Sequence, residues 1–279
     1  MMNMSWSDIP ETIQPYKEKI LITATPSLEM TLVSDDNLAL WQSKVGGAPY
    51  VPVNHQYPID SNSIPLKLLA QINFSEIPLH PDLPATGILQ FFIGGDDLYG
   101  ANFEKGQQQN GFRVLFFDDV ILDKTQLQQD FSSYLTQFKD EEYYSPISGQ
   151  YRIEFKPVVQ YISVDDFSFG QKVLAVEQLY DFEEQFEGED FYEEWLEPYC
   201  EKFSANGHRL MGYPFFTQSD PREYEKNIQD YVLLLQIDSD ASEGNDIMWG
   251  DVGVGNFFIH PDDLKKRDFS KVLYNWDCS

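Results

Sequence analysis

Short apolar runs bounded by Gly, Pro and Asp dominate this chain, and between them lie stretches in which apolar residues recur every three or four positions. The first kind predicts β-strands with tight turns, the second amphipathic helices. Ile9, Ile13, Tyr16 and Ile20, behind Ser7 or Asp8 and Pro10, predict a short N-terminal helix, with a strand over 21–24 after it. Ser34 as a cap, Asp35 and Asp36 in the first turn, Leu38, Leu40 and Trp41 on one side and Gly46 or Gly47 at the end predict a second helix. It leads into a proline-rich, extended segment over 47–52.

From there a pattern occurs twice. Gly47-x-Pro49-Tyr50, the run 68–73 around Gln71, the run 87–93 and the run 114–117 are echoed by Gly212-x-Pro214-Phe215, the run 233–238 around Gln236, the run 253–259 and the run 272–275. Gln71 follows Gly47 by 24 residues, and Gln236 follows Gly212 by 24. Each set reads as three short antiparallel strands whose unbroken apolar runs are covered on both faces. One such unit has little core, so two are expected to pack together. The sequence therefore predicts an α+β fold: mostly antiparallel sheets from two internally duplicated β units, with flanking helices. It further predicts a single domain over 1–279, with halves at about 38–120 and 205–279 and a helical, acidic insertion at about 124–202.

Within that insertion Leu127, Phe131, Leu135 and Phe138 predict a helix over 124–142, and alternation over 151–163 predicts one or two strands broken at Pro157. Between Glu177 and Glu201 stand eleven carboxylates and no Lys or Arg. Phe182 and Phe186, then Phe191, Trp195 and Tyr199, recur at spacing four, so two short helices divided at Gly188 would turn aromatics inward and carboxylates outward.

Composition sharpens the functional classes. With 46 acidic and 19 basic residues the net charge is −27, and the longest basic cluster is Lys265-Lys266-Arg267. Phosphate backbones and anionic lipid surfaces are recognised by Lys and Arg, so neither nucleic acid nor membrane is an expected partner. A basic protein or a small ligand is. The first 25 residues hold no apolar run of signal-peptide length and Cys200 and Cys278 lack partners at metal-ligand spacing, which predicts a cytoplasmic protein with reduced thiols.

Several pieces together resemble the YwqG-like family of bacterial proteins of unknown function. They are Gly46-Gly47-Ala48-Pro49, Leu69-Ala70-Gln71-Ile72, the run 83–92, Leu234-Leu235-Gln236-Ile237-Asp238-Ser239-Asp240, Trp249-Gly250-Asp251-x-Gly253, Phe257-Phe258-Ile259 and the ending Trp276-Asp277-Cys278. The resemblance implies an α+β fold with duplicated halves and carries no reaction, cofactor or catalytic residue.

Candidate chemistry concentrates in 236–258. Asp238, Asp240 and Asp251 are spaced to converge on a cation or act as acid/base groups of a metal-assisted hydrolase, with Trp249 as a wall, or else to accept main-chain N–H bonds at turns. An EF-hand is excluded, because Glu243 stands where its glycine is needed and Trp249 where its bidentate glutamate is needed. Gln71 and Gln236, each inside an apolar strand, are expected to tether a neighbouring loop or meet each other, or to touch a ligand. His55, His80, His208 and His260 lack metal-binding spacing, and no phosphate-binding loop, dinucleotide fingerprint or nucleophile elbow occurs, so no cofactor is implied. His80-Pro81-Asp82 and His260-Pro261-Asp262 match the tripeptide of J-domain co-chaperones but follow strand-like runs, which favours turns with proline at a helix start. Catalytic residues are not identified. The leading expectation is a non-catalytic binding or protein-interaction module, ahead of the hydrolase and of an immunity or accessory protein for a basic toxin.

Overall fold

The computed structural model describes residues 6, 9–136, 143–177, 179–184 and 191–279. Among them twelve strands form: β1 (Thr25–Ser34), β2 (Lys44–Gly46), β3 (Lys67–Asn73), β4 (Ile88–Ile93), β5 (Phe112–Phe117), β6 (Ile147–Ser148), β7 (Gln150–Gln160), β8 (His208–Leu210), β9 (Val232–Asp238), β10 (Asp246–Ile247), β11 (Gly253–Ile259) and β12 (Leu273–Cys278). Ten make one antiparallel sheet in the order β12-β11-β9-β8-β1-β7-β2-β3-β4-β5, and β6 pairs with β10 beside it. The sheet curls until Phe91 on β4 meets Phe257 on β11, ring centroids 4.9 Å apart, so strands near its opposite edges share one core. The chain is an α+β protein, mostly antiparallel.

Two long strands make the centre. β1 and β7 pair over their whole length, from Thr25 opposite Gln160 to Ser34 opposite Tyr151. Short β8 covers β1 only at 28–30 and short β2 covers β7 only at 150–152. Pro157 therefore sits in a stretch of β7 with a strand on one side alone, where a missing N–H is tolerated, and β7 runs through it unbroken.

Outside the centre the two flanks share a register. Gln71 on β3 faces Gln90 on β4, and Gln236 on β9 faces Asn256 on β11. Each ladder skips one leucine at the same place, Leu69 between the partners of Phe92 and Phe91, Leu234 between those of Phe258 and Phe257. The fourth pair of runs aligns differently from its lettering: Phe91 faces Val114 and Phe257 faces Tyr274, two residues beyond Val272.

The segment 35–43 is not a helix. Asp35 accepts its own turn bond from Asn37 N–H, and the carbonyls of Leu40, Trp41 and Gln42, which a helix would use internally, accept from the side chains of Gln71 and Asn73 instead. The described α-helices are α1 (Lys17–Leu21), α2 (Ser132–Leu135), α3 (Leu179–Glu183), α4 (Glu197–Phe203) and α5 (Pro261–Lys266), the last of which sends Leu264 into the main core. The helix expected over 124–142 is reduced to a 3-10 turn at Lys124–Gln126 and α2, with 137–142 outside the described residues. Around α1, α3 and α4 a separate core forms from Ile13, Ile20, Phe169, Phe182, Trp195 and Tyr199. Trp195 stacks on Tyr199, ring centroids 5.2 Å apart, while Glu193 and Glu194 point to solvent, as the spacing-four pattern requires. Phe186 and Gly188 lie outside the described residues. No described helix is long and apolar enough to cross a membrane.

Candidate functional site

The residues singled out in the sequence fall into a tether and a turn. Gln71 is fully buried; its Oε1 accepts from Tyr50 N–H at 2.8 Å and Gln90 Nε2–H at 2.7 Å, and its Nε2 donates to the carbonyls of Leu40 and Gln42 at 2.7 and 2.8 Å. Gln236 repeats the arrangement: Oε1 accepts from Phe215 N–H at 2.8 Å, and Nε2 donates to the carbonyls of Ala205 and Gly207 at 2.7 Å each. Each amide pins a loop to its strand, and β2, β7, β1 and β8 stand between them, so the two do not meet.

Asp238 accepts from Gly207 N–H and Ser239 N–H, and burial raises its carboxyl above the usual range. Asp240 accepts from Asn245 Nδ2–H at 2.6 Å and Ser242 N–H at 2.8 Å and lies 3.3 Å from His208 Nε2, contacts that hold it well below the usual range. Asp251 is exposed at the far end of the loop. Among the described residues no group of three or more His, Cys, Asp or Glu is arranged to hold a metal ion, so the three aspartates do not converge on a cation. Trp249 is fully buried against Tyr99, Tyr274 and Trp276, a wall of the core and not of an open site. Both His-Pro-Asp tripeptides are local caps: His80 Nδ1 accepts from Asp82 N–H, and His260 Nδ1 accepts from Asp262 N–H with Pro261 opening α5.

The open site lies elsewhere. A cleft of about 390 Å³ enters the sheet where β8 stops at Leu210, between the start of β1 at Thr25 and the start of β9 at Val232. Met211 and Gly212, both at positive φ (60° and 89°), turn the chain out of the sheet there. A Cβ on Gly212 would lie 2.1 Å from Gln160 Oε1, which accepts from Tyr213 N–H, so only glycine fits this exit.

Arg222 forms the cleft floor. Nε and Nη2 bind Asp220 at 2.9 and 2.6 Å, Nη2 also binds Asp166 at 2.9 Å, Nη1 donates to the Tyr231 carbonyl at 2.9 Å, and the rings of Phe167 and Phe258 lie 5.1 and 4.8 Å from the guanidinium carbon. Burial pushes the Asp220 carboxyl up against the opposing pull of Arg222. Asp165, next in the chain to Asp166, is pushed up to about 7 by burial together with the charges of Asp277, Asp220 and Asp166, opposed by a hydrogen bond from its own N–H. Arg222 and Asp166 line the cleft, Asp220 grips the same guanidinium outside the lining, and the neighbouring Asp165 carboxyl takes up a proton near neutrality.

The sequence analysis did not single out this cluster, whose Asp166 and Arg222 stand 56 residues apart in the chain and share no motif. One signal was present: Lys67-Leu68-Leu69-Ala70-Gln71 and Val232-Leu233-Leu234-Leu235-Gln236 place a lysine and a valine at equal distance from the twin glutamines, and Val232 lines the cleft.

Comparison with known proteins adds a family. The model of a domain of unknown function (DUF1963) matches residues 43–278, which takes in all the sheet strands except β1 and includes the whole cleft floor. No curated protein matches the chain.

Proposed function

Because the chain belongs to the DUF1963 family, whose description names no activity, its function has to be read from its own geometry, and we propose that it is a non-catalytic binding module whose ligand seats in the cleft between β1 and β9. The observation that carries this reading is an opening in the middle of a sheet, floored by a buried guanidinium clamped between two carboxylates. Ligand pockets combine a preformed concavity with few, fixed polar groups, and Asp166, Asp220 and Arg222 hold one another in place before any ligand arrives.

The finer family assignment, YwqG-like, is supported by the position of its motifs, which fall within 43–278. An internal duplication is supported by the shared register and the skipped leucines of the two flanks. The free thiols Cys200 and Cys278 support a reducing, cytoplasmic setting.

The test is an amide-shift screen of the ¹⁵N-labelled full chain against a panel of small amines, carboxylates and polyols. Saturable shifts at Ser168, Gly212 and Val232 are expected for at least one class. Saturable binding that moves only the 238–251 loop would place the ligand elsewhere and overturn the reading.

A further inference from the structure

The two flanks of the sheet contain the same gap, and one of them is filled. Lys67 faces Ile93 across β3 and β4, as Val232 faces Ile259 across β9 and β11. On the other side β2 reaches β3 only at Ala70 and Gln71, as β8 reaches β9 only at Leu235 and Gln236, so Lys67 and Val232 each border a place where the sheet opens. The lead-in to β7 bounds the first opening and the lead-in to β1 the second, for Val45 faces Tyr151 as Leu210 faces Leu28.

In the first opening the Lys67 chain crosses the gap, and its Nζ donates to the Ile147 carbonyl and Ser145 Oγ at 2.8 Å each. Burial lowers the pKa of that half-buried amine, a cost of desolvation that its two acceptors offset. In the second opening Val232 supplies only two methyl groups, and the cleft stands in place of the lysine chain. Val232 and Thr25 each have a strand partner on one side alone, so main-chain groups border the gap as the Ile147 carbonyl does in the first.

We propose that the cleft takes a primary alkylammonium group, the group that Lys67 places in the matching gap of the other flank; the proposal rests on the cleft being the binding site. Charge agrees with it. At the mouth the exposed Lys172 and Lys265 offset Asp82 and Asp230, and Lys265 lies 4.0 Å from Asp262 as well. Within the lining Asp166 balances Arg222, while Asp220, bound to the same guanidinium, stands outside it, so selectivity falls to the main-chain groups that border the gap. The net charge of −27 raises the local concentration of any cation approaching the mouth. An alkyl stem suits the Val232 methyls and the Leu264 side chain that line the same cleft.

The ammonium has two possible sources, a free aliphatic diamine or a lysine side chain on a peptide. The labelled full chain is titrated with 1,5-diaminopentane, with the blocked peptide acetyl-Ala-Lys-Ala-amide, and with 1,5-pentanediol as the neutral match, following Ser168, Gly212 and Val232. Both amines should saturate these shifts at least tenfold more tightly than the diol, and tighter binding of the peptide or of the diamine identifies the source. Val232→Lys, which carries its own ammonium into the gap, should weaken the diamine at least tenfold while shifts elsewhere are kept. Equal binding of diamine and diol, or undiminished binding by a folded Val232→Lys, overturns the proposal. The diol comparison needs no variant, so it stands if Val232→Lys does not fold. Cleft shifts caused by carboxylates or polyols but not by amines would refute the ammonium and leave the cleft as the site; no cleft shifts from any class would refute both.

Discussion

Arg222 Nη2 lies 2.9 Å from Asp166 Oδ2, two buried side chains brought together across 56 residues of chain. The same Nη2, together with Nε, grips Asp220, so one cation compensates two carboxylates withdrawn from water. Removing the cation leaves both charges buried without it, which costs more than the pair is worth when intact. Arg222→Met is expected to lower stability by about 3–5 kcal/mol, read from the midpoint of urea unfolding. Arg222→Lys keeps the charge and loses the fork, so its midpoint should fall between those of the wild type and Arg222→Met.

Gln71→Leu and Gln236→Leu test the tethers. Each removes an acceptor from a main-chain N–H, that of Tyr50 or Phe215, and a donor from two carbonyls, in places closed to water. A loss of about 2–3 kcal/mol is expected for either, seen as a lower midpoint in thermal unfolding. The Gln71 variant should be the worse of the two, because Gln90 Nε2–H also donates to Gln71, whereas Asn256, one methylene shorter, donates to the Phe215 carbonyl.

Gln71 and Gln236 also mark how far the sequence could be read. Their apolar surroundings and equal offsets from Gly47 and Gly212 put the strands β3, β4, β9 and β11 in place, because strand runs and glycine exits are local signals. The stretch 35–43 misled, since its helix-like capping pattern is overruled by side chains of β3 that capture its carbonyls, a contact between segments some thirty residues apart. Asp238, Asp240 and Asp251 drew attention by clustering in sequence, yet Asp238 and Asp240 accept hydrogen bonds within their own fold. The Arg222 cluster was illegible for the opposite reason: Asp166, Asp220 and Arg222 come together only when the loop after β7 folds against the turn before β9, and no periodicity records that meeting.

Gly255 faces the Trp249 ring so closely that a Cβ there would lie 2.4 Å from it. Trp249 is fully buried, with the rings of Tyr99, Tyr274 and Trp276 centred 5.5, 6.5 and 6.1 Å from its own. Gly255→Ala should therefore cost about 1–3 kcal/mol through overpacking. The check is intrinsic tryptophan fluorescence during guanidinium unfolding, where the variant should unfold at lower denaturant with a shifted native emission maximum. An unchanged midpoint would show that the ring moves freely and that glycine is not needed there.

Asp165 gives the pH dependence its sign. Its carboxyl titrates at about 7 in the fold, against an ordinary value of 3.8, raised by burial and by Asp277, Asp220 and Asp166. Each of those neighbours already holds donors: Asp277 accepts from Thr217 and Gln218 N–H, while Asp220 and Asp166 are bound to Arg222. Below the ordinary value Asp165 is protonated whether the chain is folded or not, and its neutral form is easily accommodated. Between 3.8 and about 7 the fold retains a proton that the unfolded chain has lost, so this group's contribution to stability falls as pH rises and is fully lost above about 7. Asp165→Asn removes the titration. The variant should exceed the wild type by about 1–2 kcal/mol at pH 8, with the gap closing by pH 4, when urea midpoints of the two are compared across that range. A gap that is constant with pH, or that widens on acidification, would mean that Asp165 is ionised throughout and that the cluster behind the cleft carries a full extra charge at neutrality.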